Sequence, residues 1–313
     1  LPDGVNYVFR NGVPLSITQF ASPFENRGII RRYGLFASDQ WTINKLTLNL
    51  GIRYDGWSLY TEGRTVPAGP FTAARTVPKA SNLPGFKDVT PRIGFAYDLF
   101  GNGKTALKGS WGKYLMGLGG GDAAQLSPAN SIIQNTTRLW GDADGDFTPD
   151  CDLRNLLANG ECGTVANLAF GQPVSATVWD EGSRTGWGVR EFSHRYSLGV
   201  QHELMAGLGL MVSYNRTDWR NQQAVVNNAF TPADFTPFCV TTPTDTRLGD
   251  FGGQRVCGLY DVDPAKFGRV NAVRIRWQDI PGVASGARPK EIFNGIDGAV
   301  NARFGDGGVI QGG

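Results

Sequence analysis

The densest run of groups able to bind a cation is Gly141-Asp142-Ala143-Asp144-Gly145-Asp146-Phe147-Thr148-Pro149-Asp150-Cys151-Asp152. Carboxylates at alternating positions converge on one ion when the backbone curls, and hard Ca²⁺ takes about six to eight oxygens. Asp142, Asp144 and Asp146 match positions 1, 3 and 5 of an EF-type loop, with the Thr148 carbonyl at 7 and Asp150 at 9. Phe147 stands where that loop has glycine, and no glutamate stands at position 12. Together with Asp152, these carboxylates repel one another unless a cation compensates. The 142–152 stretch is therefore expected to take Ca²⁺, the other reading being a solvated acidic loop.

The four cysteines are Cys151, Cys162, Cys239 and Cys257. An even count in exposed loops suggests disulfides and an oxidising compartment. Neither spacing is a zinc pattern. One bridge per loop, Cys151 with Cys162 and Cys239 with Cys257, is favoured over crossed pairing, each ring contributing about 3 kcal/mol in the chain-entropy model. His194 and His202, the only two histidines, share one parity of one stretch and cannot converge on a reacting group. Interfacial packing is their expected role. Gly117-Leu118-Gly119-Gly120-Gly121-Asp122 has Asp122 where a phosphate loop has a third glycine and lacks the GK[ST] ending, so it reads as the flexible start of a long loop. No Gly-x-Ser-x-Gly, HExxH or CxxC motif is present. No catalytic site emerges, and the chain does not read as an enzyme.

Composition narrows the class of protein that carries these groups. Forty-three glycines without a three-residue period exclude collagen, and 8 Trp, 9 Tyr and 18 Phe argue against wholesale disorder. A net charge of +2 announces no nucleic acid or polyanion partner. No stretch nears the ~18 apolar residues of a transmembrane helix, but a spanning β-strand needs only about 9–11 with every second one apolar. The start at Leu1-Pro2-Asp3 and the stop just after Val309-Ile310 read as the ends of a piece of a longer protein, with further strands to follow.

The strongest periodicity lies in residues 45–55. Leu46, Leu48, Leu50, Ile52 and Tyr54 occupy one parity, and Lys45, Thr47, Asn49, Gly51, Arg53 and Asp55 the other. Successive strand side chains point to opposite faces, so this segment is a strand with one apolar and one polar face. The same alternation recurs over 31–41, 92–99, 104–114, 191–204, 208–217 and, less regularly, 291–304, with Met211, Phe293 and Asn294 out of step. Pro14 and Pro23 restrict any strand in the first 28 residues to about 15–21.

Connections alternate too. Short turns follow residues 41, 99, 204 and 304, whereas the connections 58–90, 115–190 and 218–290 are long. Loops above about 12–15 residues are uncommon in compact domains. Their occurrence at every second connection puts all short turns at one end of an antiparallel sheet, the layout of outer-membrane barrels. Tyr54, Trp57, Trp111, Tyr114, Tyr214 and Trp219 gather toward the long-loop end, where an aromatic girdle belongs. The predicted fold is all-β: an up-and-down transmembrane barrel, partial, of about seven or eight strands. Its polar parity, with Lys45, Arg53, Asp55, Arg92, Asp98, Lys108, Arg195, Gln201, Glu203, Asp297 and Arg303, would line the lumen. A soluble β-sandwich would also bury one face per strand but would not alternate its loops so regularly.

The segments YGLFASDQWTINKLTLNLGIRYD (33–55), PRIGFAYDLFGNGKTALKGSWGKY (91–114) and YSLGVQHELMAGLGLMVSYNRT (196–217) resemble consecutive hairpins of TonB-dependent outer-membrane receptors, most closely the Oar-like subgroup. FTPFCV (235–240) and VCGLYDVDPAKFG (256–268) fit that subgroup as well, and the resemblance covers nearly the whole chain. The Asp-rich run is similar to the repeats of thrombospondin type 3, which also carry a nearby cysteine. The resemblance implies an outer-membrane location, contact with lipid, and partners in a plug domain and the TonB complex. It further implies uptake of a bulky, scarce solute such as an iron chelate, cofactor or oligosaccharide through loops 58–90, 115–190 and 218–290. Residues 1–313 would then be part of the barrel domain, with the plug and the C-terminal strands elsewhere. Two other readings remain: a calcium-binding surface adhesion module with a soluble sheet, and a porin-like channel without a plug.

Overall fold

The computed structural model describes residues 4–174, 177–284, 287–305 and 307–313. Leu1-Pro2-Asp3 and Asp306 of the last turn lie outside the described residues. Eight strands form one antiparallel meander in sequence order: β1 (Ile29–Ile43), β2 (Leu46–Tyr60), β3 (Gly85–Asp98), β4 (Thr105–Leu115), β5 (Phe192–Met205), β6 (Leu208–Arg220), β7 (Ile292–Phe304) and β8 (Gly308–Gly312). The sheet does not close, β1 and β8 being its two edges among the described residues.

Register makes the alternation of single strands a property of the whole wall. Trp41, Leu48, Phe95, Gly109, Leu198, Tyr214 and Ile296 are successive cross-strand partners from β1 to β7. Ile43, Leu46, Tyr97, Leu107, Val200, Val212 and Gly298 form the next row toward the turns. These rows are not covered by protein: Ile43 is 56% exposed, Leu198 52% and Ile296 77%. Asp39, an acid on this face, accepts hydrogen bonds from the Trp41 indole at 2.6 Å and the Gln40 N–H at 2.9 Å. No helix among the described residues is long and apolar enough to cross a membrane.

The short turns follow from local chemistry. Asn44, in the left-handed region at φ 51°, turns β1 into β2. Asp98 closes the β3–β4 turn by accepting from the N–H groups of Gly101 and Gly103 at 2.9 and 2.8 Å. Gly207, at φ 82°, lies so close to Arg303 that a Cβ would sit 2.5 Å from its carbonyl oxygen, so only glycine fits there.

The long connections differ from the sequence expectation. Strand pairing continues past the apolar band, so residues 58–60 and 85–90, expected to be loop, belong to β2 and β3. Alternation in hydropathy stops where the apolar band ends, while backbone hydrogen bonding does not. The connections also fold. A hairpin, Val5–Arg10 with Val13–Phe20, pairs with Asn135–Leu139, and Pro14 is accommodated at a register shift beside Phe9. Arg64–Val66 pairs with Arg75–Val77, and Phe235–Thr241 with Arg255–Val262. Ala272–Arg276 joins Val178–Trp179 to Gln223–Asn227, so two connections share a sheet. Gly120–Gln125, expected as flexible loop, is a short helix entered through the Asp122 carboxylate, which accepts the Gly119 N–H. Among the described residues, buried apolar side chains gather in four small clusters, around Ile17 and Trp140, Leu59 and Leu83, Val66 and Val77, and Phe86 and Trp179. All four lie at this end of the sheet.

Candidate functional site

The polar parity of the wall forms the first candidate surface. Arg92, Gly112 and Arg195 are partners in one row, and both guanidiniums lie over the Tyr114 ring, at 4.9 and 4.8 Å from its centroid. Such cation–π contacts hold the charge while leaving donor nitrogens for another group. Arg53 instead donates through Nε to both Asp55 oxygens, at 2.9 and 3.0 Å. Lys108 donates to Gln201 at 2.5 Å, and Asp297 accepts from Asn215. Glu203 and Arg303 border a concavity of about 420 Å³ near the turns, together with Lys104 and Asn301. Lys45 occupies the β1–β2 turn beside Gly101, and Asp98 is engaged by its own turn. His194 stacks on Trp111 at 5.6 Å, and His202 shares a 2.8 Å hydrogen bond with Thr105, so the two histidines serve separate cross-strand contacts.

At the mouth of the wall is a charged group that sequence reasoning missed. The β3–β4 ladder ends at Arg92 and Gly112. Where the strands part, Asp88 is fully buried with the Lys113 Nζ 3.6 Å from its carboxylate. Arg190 lies 4.0 Å above the Trp57 ring and donates to the Met116 carbonyl. Burial lowers the Arg190 guanidinium from its ordinary value, with Asp88, Asp55 and Asp122 acting the other way. Asp88 and Arg190 fall within stretches read as loop. The one nearby sequence signal was Phe86, two residues before Asp88; Trp57, over which Arg190 lies, is distant along the chain.

The Asp-rich run curls. Asp142, Asp144 and Asp146 bring carboxylate oxygens within 4.8 Å of one another. Each also accepts backbone N–H groups: Asp142 from Gly145 and Phe147, Asp144 from Asp146, and Asp146 from Thr148. Phe147 itself adopts φ 60°, the conformation for which an EF-type loop uses glycine. Asp150 and Asp152 are not in the cluster, and Asp152 instead accepts the Arg154 N–H. Hydrogen bonding from Asp146 pulls the Asp144 carboxyl down, but desolvation and the neighbouring carboxyls outweigh it and leave the group raised. Glu161, missed by linear spacing, accepts from Ala143 at 2.5 Å and Asp150 at 3.1 Å. The Cys151–Cys162 disulfide carries it there. The second bridge, Cys239–Cys257, ties the hairpin of the last long connection. At the entry to that hairpin, Asp234 accepts from Lys266 and Thr231, which depress its carboxyl to about 2.

A family model for an outer membrane beta barrel domain matches residues 8–309. The chain is similar to the TonB-dependent transporter Oar of Myxococcus xanthus, with 26% identity over 226 residues, 69% of this chain and 20% of that protein. It therefore spans about a fifth of the length of this curated relative. Among solved structures, the siderophore receptor PiuA of Acinetobacter baumannii aligns over 94% of this chain and 24% of its own, at 11% identity and a TM-score of 0.39. PirA of the same organism aligns over 96% and 42%, at 10% identity and a TM-score of 0.35. Outer-membrane barrels turn briefly on the periplasmic side and loop at length outside, so the folded connections are extracellular. From residue 8 to residue 309, the chain belongs to the outer membrane β-barrel domain family of the Gram-negative outer membrane.

Proposed function

We propose that this chain is the wall and extracellular cap of a TonB-dependent receptor, which captures a bulky, scarce solute outside the cell and passes it along the polar face of the wall. A plug domain and the TonB complex would be its partners, and an iron chelate, a cofactor or an oligosaccharide its cargo. The observation that carries this reading is the asymmetry of the meander. Among the described residues, one end has only short turns, and the other has folded, disulfide-braced connections. A simple pore has no need of so large a structured cap. Similarity to a TonB-dependent transporter supports the same reading. Uptake of radio-iron chelates, a corrinoid and maltooligosaccharides by cells carrying the full-length protein tests it. Saturable uptake of one of these that stops when TonB is disrupted is expected. Passive entry that survives the disruption contradicts it and favours the porin-like alternative.

In the 142–152 loop, the carboxylates of Asp142, Asp144 and Asp146 would take Ca²⁺, a reading supported by their convergence. EDTA should then loosen this loop in hydrogen exchange, and unchanged protection contradicts the site.

A further inference from the structure

The connection between β2 and β3 and the connection between β4 and β5 close over a cavity of about 510 Å³, within the range of small-molecule sites. None of its lining residues comes from the eight strands of the wall. Phe71, Val77, Ile132, Leu156 and Phe170 make its lining largely apolar, with Val77 and Phe170 buried. Gly171 sits at φ 75°, and a Cβ there would lie 2.7 Å from the Thr72 methyl group, so the two walls meet only because that position is glycine.

Two arginines complete the lining, Arg75 and Arg154, and the described lining contains no carboxylate. Arg75 is fixed by hydrogen bonds to Thr72 at 3.0 Å and to the carbonyls of Ala21 and Pro23 at 2.7 and 2.6 Å, all neutral acceptors that leave its charge in place. Arg154 is exposed and tethered through Nε to the Pro70 carbonyl at 3.0 Å. Nearby Asp152 caps the Arg154 N–H and does not line the cavity. An apolar chamber with two arginines and no carboxylate in its described lining is complementary to a molecule with an apolar body and one anionic head, because a charged acceptor forms the stronger hydrogen bonds.

We infer that this cavity is a binding site for a small organic acid with an apolar, ring-bearing body. The inference deepens the receptor reading, on which it rests for its biological purpose, but binding itself can be measured without transport. The probe is 2-naphthoate, with neutral 2-naphthylmethanol as its comparator, titrated into the purified full-length receptor in detergent. Arg154→Gln, at an exposed position, should weaken naphthoate about tenfold, the low end for a hydrogen bond to a charged group, and leave the alcohol unchanged. Ala74→Trp, which puts an indole against the lining, should weaken both probes. Equal naphthoate binding by the wild type and both variants overturns the site. Equal weakening of both probes by Arg154→Gln overturns the acid. Energised solute uptake alongside either result leaves the receptor reading standing, whereas naphthoate binding without such uptake removes the receptor reading and keeps the site.

Discussion

The wall and the cap of this molecule use apolar side chains in opposite ways. In the wall, Leu198, Tyr214 and Ile296 stand in register and stay exposed. In the cap, Ile17, Val66 and Trp179 are buried among neighbours drawn from distant parts of the chain. The cap folds as water-soluble proteins do, by removing apolar area from water. The wall leaves its apolar area outside and depends on lipid to cover it. One chain therefore holds two solvents' worth of folding rules, with the change-over near the Asp88 and Arg190 group.

The largest effect is expected at that change-over. Asp88→Ala leaves the buried Arg190 and the partly buried Lys113 without their acid, and breaking such a pair costs about 3–5 kcal/mol. Denaturant unfolding of the full-length protein in lipid vesicles measures it, and a wild-type midpoint would break the link between cap and wall. Next comes a direct comparison of two exposed leucines. Leu198→Arg on the lipid row should cost about 2–4 kcal/mol, whereas Leu139→Arg on the cap should stay within about 0.5 kcal/mol. Equal costs would erase the distinction between the two regions. Cys239→Ser with Cys257→Ser releases one ring, worth about 3 kcal/mol to the cap hairpin alone. Limited proteolysis should then cut within 235–262 while the wall remains resistant. The smallest effect concerns acid. Because the Asp234 carboxyl is held at about 2, below its ordinary value of 3.8, its support for that hairpin is complete above pH 3.8. That support is lost as the pH falls from about 4 to 2. Asp234→Asn should abolish this pH dependence in hydrogen exchange.

The wall was legible in the sequence because its rule is local. Leu46 to Tyr54 alternate without a break, and the Asn102-Gly103 pair marks a turn within a few residues of the strands it joins. Even there the outer strand ends escaped, since Lys87 and Asp88 keep the backbone pairing of β3 after the hydropathy rule has lapsed. The cap was not legible, because its order comes from distant partners. Gln19 donates to the Leu153 carbonyl across 134 residues, and Trp179 packs on Phe86 at the outer end of β3. For the same reason linear spacing found the converging Asp142, Asp144 and Asp146 but not Glu161, which the disulfide delivers from beyond the run.

The most direct test of the central claim uses nitroxide labels placed singly at Leu198 and at its neighbour Ser197 in the full-length protein in bilayers. Collision with dissolved oxygen reports lipid, and collision with a water-soluble nickel chelate reports aqueous surroundings. The label at 198 should respond to oxygen and the label at 197 to the chelate. A label at 198 shielded from both, or open to the chelate, would contradict a wall whose apolar face meets lipid.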